Sequence, residues 1–380
     1  MRLNRFQMIP VSRPLFLGNE KKYLNECIDS NWIGPGEFNA RFEESFSSYI
    51  GKKYAVAVSN GSSALDLALA SLRLNKGDEV IVTNFTIISC ISSIIRAGAK
   101  PVLIDIENKT WNFDINQIEE KITSKTKAIM AVHIYNFPVE MNELEKLSKK
   151  YKLKLIEDCA EQIGQNYKNK KIGSYGDISC FSFYSNKNIT TGEGGMILTD
   201  DVSLYEYCKK EKNLGFSFDS SKRFVHDTLG YNYRMTNMQA AIGLAQLEKI
   251  EFLIEKRKEV GRYYSEGLKD YDNLLYYPPE SYNDMENIYW VFAIRFSNEI
   301  NLTFKNVSDK LFKKGVETRP FFLPIHKQPI FNGSLGSDQD FPNSNDLYEK
   351  GIYLPCGNGI TLDEARAVLK ELKVILNDNI

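Results

Sequence analysis

From Tyr54 to Thr199 the chain repeats one pattern: short runs dominated by Val, Ile and Leu alternate with longer segments whose apolar residues recur at helical spacing. The runs Tyr54–Val58, Glu79–Thr83, Pro101–Asp105, Ala128–Val132, Leu153–Glu157, Ile178–Tyr184 and Met196–Leu198 have the length and composition of strands. Ser63–Leu74, Ile88–Ala97 and Met141–Tyr151 read as helices, set off by turn-prone stretches such as Asn75-Lys76-Gly77-Asp78. Parallel strands need a crossover connection, and a helix is the usual one. The expectation is an α/β fold, a mainly parallel seven-stranded sheet flanked by helices on both faces. In such a sheet the ligand lies outside the carboxyl ends of the strands.

A long helical pattern from Met238 to about Leu268 leads out of this region. It places a boundary near residue 250, with residues 1–250 as a large domain and 251–380 as a smaller α+β domain. The latter contains a strand at Tyr289–Phe296, a helix at Val307–Lys314 and a final helix at Leu362–Leu376. Asn332 to Asn345 is polar and contains Gly, which predicts a mobile loop.

Charge balance narrows the function classes. The 380 residues carry 48 Lys+Arg against 49 Asp+Glu, so a net charge of -1 excludes a surface built to coat nucleic acid. With 43% hydrophobic and 26% charged residues, the chain can bury a sizeable core. Cys27, Cys90, Cys159, Cys180, Cys208 and Cys356 are scattered, without a C-x-x-C pair or clustering with the three histidines, so neither a metal nor a disulfide framework is expected. The longest near-apolar run, Ile87 to Ile95, is about half of a bilayer span. The opening MRLNRFQMIPVSRP lacks the apolar centre of a signal peptide. A reducing, cytoplasmic setting without a membrane partner follows.

Three segments at expected strand ends carry chemistry. Ser59-Asn60-Gly61-Ser62-Ser63 joins a strand to a helix, and N–H groups with hydroxyls at a helix start suit a phosphate. Leu155-Ile156-Glu157-Asp158 is an apolar strand ending in carboxylates, where Asp158 can hold a protonated ring nitrogen. In Phe181-Ser182-Phe183-Tyr184-Ser185-Asn186-Lys187, a lone lysine follows a strand directly and stands close to Ser182 and a Gly-rich loop. Each has an ordinary reading: a Ser-rich helix cap, an Asp closing a turn, a solvated lysine. Together they supply a phosphate seat, an acid for a pyridinium and an amine for an aldehyde, and pyridoxal 5'-phosphate presents all three groups.

The segments SNGSSALDLAL, IEDCAEQIG, FSFYSNKNITTGEGGMI and GYNYRMTNMQAAIGLAQLE resemble the sugar aminotransferase family of fold-type I pyridoxal-phosphate enzymes. The likeness runs from Pro10-Val11 to Leu354-Pro355. HDTLGYNYRMTN and ETRPFFLPIH are most similar to the group that aminates GDP-4-keto-6-deoxymannose at C4. The resemblance implies that Lys187 forms the Schiff base, Asp158 meets the pyridine nitrogen and Glu161 sits near the ring hydroxyl. Gly61, Ser62 and Ser182 would hold the phosphate. Asn232 would reach it from the neighbouring subunit of a homodimer with shared sites. The implied substrates are a nucleotide-linked keto sugar and glutamate. His226, Arg319 and His326 are candidate sugar or nucleotide contacts, whereas His133 ends a strand and reads as a hydrogen-bonded structural residue.

Two positions depart from the family pattern. Ile87 stands where relatives place an aromatic over the cofactor ring. Asn136 stands where they have Gly, and an Asn there can take the left-handed turn conformation. Related sugar 3-dehydratases carry His at the Schiff-base position, so Lys187 favours transamination. Still open are a UDP- or dTDP-linked 4-keto or 3-keto sugar as substrate and, from another class, a noncatalytic cofactor-binding regulator.

Overall fold

The apolar runs of the alternating segment form one sheet in a computed structural model that describes residues 8–379. Its strands are β1 (Tyr54–Val58), β2 (Glu79–Thr83), β3 (Lys100–Ile104), β4 (Thr126–Val132), β5 (Lys154–Asp158), β6 (Ile178–Ser182) and β7 (Gly195–Thr199). Their order is β1-β7-β6-β5-β4-β2-β3. All pairs from β6 to β3 are parallel, and β7 alone runs antiparallel to both of its neighbours.

Period-two alternation sends neighbouring side chains to opposite faces. Ala55, Ala57, Ile81, Ile129, Leu155 and Phe181 join one apolar layer with Phe38, Phe42 and Phe46 of the helix Glu37–Ile50. Val56, Val58, Val80, Val82, Met130, Ile156 and Cys180 join the other, under the helices Gly61–Ser71 and Ile88–Arg96. Both faces are covered, which is why the strands read as continuous apolar runs.

The pattern from Met238 to Leu268 is two helices, Asn237–Leu247 and Ile250–Leu268. Lys249, at φ −118° and ψ 12°, leaves the helical region between them. The first helix packs against the helices Glu20–Asp29 and Glu37–Ile50, adding Ala240, Ala241 and Leu244 to their apolar layer; the second turns away and buries Val260, Tyr264 and Leu268 with Val368 and Leu372 of the helix Leu362–Asn377. A four-stranded antiparallel sheet follows, in the order Leu275–Tyr276, Phe292–Phe296, Gly351–Leu354, Arg319–Pro320. The expected strand Tyr289–Phe296 begins only at Phe292, because Tyr289 takes a left-handed conformation (φ 49°).

Two further expectations are corrected. Asn332–Asn345 is not all loop: it contains the 3-10 turn Asp338–Asp340 and the start of the helix Pro342–Lys350, which Asp105 caps by accepting the N–H groups of Asn343 (2.9 Å) and Ser344 (3.0 Å). In the turn after β4 the left-handed residue is Tyr135 (φ 54°), not Asn136. The side chains of Glu161 and Gln162 take the N–H and C=O of Tyr135 at 2.7 and 3.0 Å, and its ring is buried against Trp290, Phe321 and Phe322. Long-range contacts thus outweigh the local preference for Asn at positive φ. Among the described residues no helix is long and apolar enough to cross a membrane.

Candidate active site

Strands β1, β2, β4, β5 and β6 all point their carboxyl ends at one cavity of about 530 Å³. At the end of β1, Asn60 caps the helix Gly61–Ser71 by accepting the Ser63 N–H (2.8 Å). The cap leaves the N–H groups of Gly61 and Ser62, the first of the helix, at its positive end beside the cavity. Ser62 Oγ lies 2.8 Å from Ser89 Oγ. Ser182, the last residue of β6, faces Gly61 so closely that a Cβ there would come within 2.8 Å of the Ser182 Cβ. Glycine is what lets the helix start meet the strand end.

Asp158 closes β5 and is only 4% exposed. Its two oxygens accept from the Ala160 N–H (3.0 Å) and the Cys90 thiol (3.1 Å). Burial pushes the Cys90 pKa well up, so the sulfur stays protonated and donates. Two donors therefore hold the carboxylate in one orientation.

Lys187 lines the same cavity, its Nζ standing 4.1 Å from the centroid of the Trp290 ring. Burial lowers the pKa of its amine, against the attraction of Glu161 and Asp158. Burial likewise raises Glu161 to about 7, against the pull of Lys187. Burial drives both groups toward their neutral forms, which suits an amine that must take up and release a proton.

Gly61, Ser62, Ile87, Asp158, Glu161, Ser182 and Lys187 line the cavity together, as does His133. His133 is tied on both sides, accepting the Val139 N–H at Nδ1 (3.1 Å) and lying 3.4 Å from Glu157 at Nε2, as a structural histidine would. Four other candidates lie apart from the cavity lining. His326 is buried between Asn84 (3.0 Å) and Asp338 (2.9 Å). Arg319 pairs with Glu317 at the surface (2.6 Å), and His226 is exposed with Nδ1 3.0 Å from the Leu214 carbonyl. Asn232 is exposed on a segment bridged to Asn213.

Sequence reasoning missed Trp290, Phe322 and Tyr353 in the cavity wall, and Cys90 behind Asp158. The three aromatics come from the C-terminal region, where no strand-end rule marks them. Cys90 looks like one more apolar residue of its helix.

The donor set fits pyridoxal phosphate. A helix start with the hydroxyls of Ser62 and Ser182 suits a phosphate, Asp158 a ring nitrogen and Lys187 an aldehyde. Two buried polar atoms of the wall, Trp290 Nε1 and Asn186 Oδ1, also have no hydrogen-bond partner among the described residues.

Residues 17–373 match the DegT/DnrJ/EryC1/StrS aminotransferase family. The chain belongs to that family. It is a pyridoxal-phosphate-dependent sugar aminotransferase. This aminotransferase is 41% identical over 373 residues to the GDP-perosamine synthase of Escherichia coli O157:H7, covering 97% of this chain and 99% of that protein. Its fold matches PseC of Helicobacter pylori, an aminotransferase involved in pseudaminic acid biosynthesis, with a TM-score of 0.90 and 26% identity over 98% of this chain and 100% of that one. An E. coli GDP-4-keto-6-deoxy-D-mannose-3-dehydratase with bound hydrated PLP is similar at a TM-score of 0.88 and 26% identity, covering 96% of this chain and 100% of that one.

Proposed function

We propose that the aminotransferase moves an amino group from glutamate to C4 of a nucleotide-linked 4-keto-6-deoxy sugar. GDP-4-keto-6-deoxymannose is the favoured substrate and the 4-amino-4,6-dideoxy sugar the product. The meeting of Lys187, Asp158 and the Gly61–Ser62 helix start around one cavity carries the chemistry. The identity to a GDP-perosamine synthase, 41% over nearly the whole chain, supports the choice of sugar.

Bound pyridoxal phosphate supplies an aldehyde that takes up amines and a ring that withdraws electrons. Gly61, Ser62 and Ser182 would hold its phosphate, and Ile87 would offer its ring an aliphatic contact. Asp158 would keep a proton on the ring nitrogen, and Glu161 would serve the ring hydroxyl. Lys187 would be the covalent anchor, and its Nζ would take and return the proton. Burial lowers the pKa of that amine, which favours its neutral, proton-accepting form.

The same reading includes a twofold homodimer in a reducing cytoplasm, each chain dividing near residue 250. Among the described residues, Lys187 is the only lysine or arginine lining the cavity, against Asp158, Glu161 and Glu193. A cofactor phosphate and a substrate diphosphate need more positive charge and more donors than one chain brings. Asn232 lies exposed on a segment that also exposes Phe224, Val225 and Leu229, the apolar surface of an interface that can lend Asn232 to a partner's site.

Likeness to a sugar 3-dehydratase raises dehydration as a second reading, which Lys187 opposes. A panel of GDP-, UDP- and dTDP-linked keto sugars incubated with glutamate and read by product mass decides between them. An amino sugar formed together with 2-oxoglutarate, fastest with the GDP sugar, is the expected result. A 3-deoxy keto sugar in place of the amino sugar, with the nitrogen of glutamate released as ammonia, would overturn the proposal.

A further inference from the structure

Arg257, on the helix Ile250–Leu268, is 1% exposed, and all its partners among the described residues are neutral oxygens. The guanidinium donates to the backbone carbonyls of Asn186 (2.7 Å) and Lys187 (3.0 Å), and to those of Trp290 and Cys356. Its Nε donates to the side-chain oxygen of Asn358. Asn358 in turn donates to the Asn188 carbonyl (2.7 Å), and Asn188 to that of Ile163 (2.8 Å). Three consecutive carbonyls, 186 to 188, are thus held from the C-terminal part of the chain. The same guanidinium grips the backbone of Trp290, whose ring lies under the Lys187 amine.

A buried cation without a carboxylate is costly, and packing alone would be served as well by a neutral donor. The charge matters because of where it sits. The charged or titratable groups that act on the Lys187 amine are Glu161, Asp158 and Cys90, which favour its protonated form, and Arg257, which opposes it. Burial draws the Arg257 pKa down only to about 10, so it stays charged at neutral pH.

We propose that Arg257 is a positioning residue of the reaction, clamping from outside the large sheet both the backbone that carries Lys187 and the aromatic platform under its amine. The role rests on Lys187 being the reacting amine, as proposed above. Its test does not, because both readouts use the full-length protein freed of cofactor.

Arg257→Lys and Arg257→Gln are compared with wild type once circular dichroism shows them folded. Amide hydrogen exchange over residues 184–190 should quicken by roughly tenfold or more, the size expected for losing one or two charge-assisted hydrogen bonds, while β2 exchanges as before. The pH midpoint for acetylation of the Lys187 amine, followed by mass spectrometry of its peptide, should move upward in Arg257→Gln and less in Arg257→Lys, which keeps the charge. A folded Arg257→Gln protein with unchanged exchange over 184–190 and an unchanged midpoint would overturn the proposal. If neither variant folds, Asn358→Ala removes the Nε acceptor and the Asn188 tether while leaving Arg257. Quickened exchange over 184–190 then supports the clamp, and unchanged exchange refutes it. Failure to aminate any keto sugar would sink the functional reading and leave these measurements interpretable.

Discussion

The seven-stranded and four-stranded sheets contribute to the cavity in different ways. A mainly parallel sheet has polarity: its carboxyl ends gather on one edge, and Asp158, Ser182 and the residues just after β1, β2 and β4 collect there. Neighbouring strands of the antiparallel sheet point opposite ways, so neither edge gathers functional groups. That half of the molecule contributes faces instead: the rings of Trp290, Phe322 and Tyr353 and, through Arg257, a grip on the lysine loop. Chemistry concentrated on one sheet and support supplied by the other should separate under mutation.

The largest effect is expected at Lys187. Lys187→Ala should keep its circular dichroism spectrum and lose turnover by on the order of 10⁴-fold, the upper range for a positioned acid–base group. Near-normal steady-state rates would break the comparison outright. Asp158→Asn keeps the shape and removes the charge. The protein should still bind cofactor while kcat falls by on the order of 10²–10³-fold, as for loss of one preorganised electrostatic contact. A change confined to cofactor affinity would make Asp158 a support as well.

On the other side of the comparison, His326→Ala removes a buried ring bonded to Asn84 and Asp338. Chemical denaturation should show a loss of about 1–3 kcal/mol, with kcat changed only a few-fold. A large drop in kcat at unchanged stability would instead make His326 part of the chemistry.

Glu161 offers a smaller test in pH. Because burial raises its folded pKa to about 7 from the usual 4.5, the fold holds this proton more tightly than the unfolded chain. Its contribution to stability is present in full below pH 4.5 and is lost as pH rises toward and through 7. Relative to wild type, Glu161→Gln should therefore gain melting temperature between pH 5 and pH 8 in cofactor-free protein. A wild-type advantage that grows over that interval would refute the assignment. The smallest change is expected from Arg319→Ala, whose exposed pair with Glu317 is worth about 0–1 kcal/mol. A raised KM for the nucleotide sugar with kcat unchanged would show that Arg319 reaches substrate after all.

The amino-acid sequence by itself determined the alternating strands and helices, the parallel sheet, the strand-end seats of Lys187, Asp158 and Gly61, and the family. These are readable because periodicity, caps and strand ends are local properties of consecutive residues. Only the tertiary structure decided that a Cys90 thiol steadies Asp158 across 68 residues, that Arg257 holds the Lys187 carbonyl across 70, and that Trp290 lies under the amine. It also decided that Tyr135 rather than Asn136 takes the left-handed turn, and that Asp105 ties down Asn343 and Ser344. The physical reason is shared. Each of these contacts joins segments that no local pattern brings together, and its energy exists only once the two sheets and their helices are packed against one another.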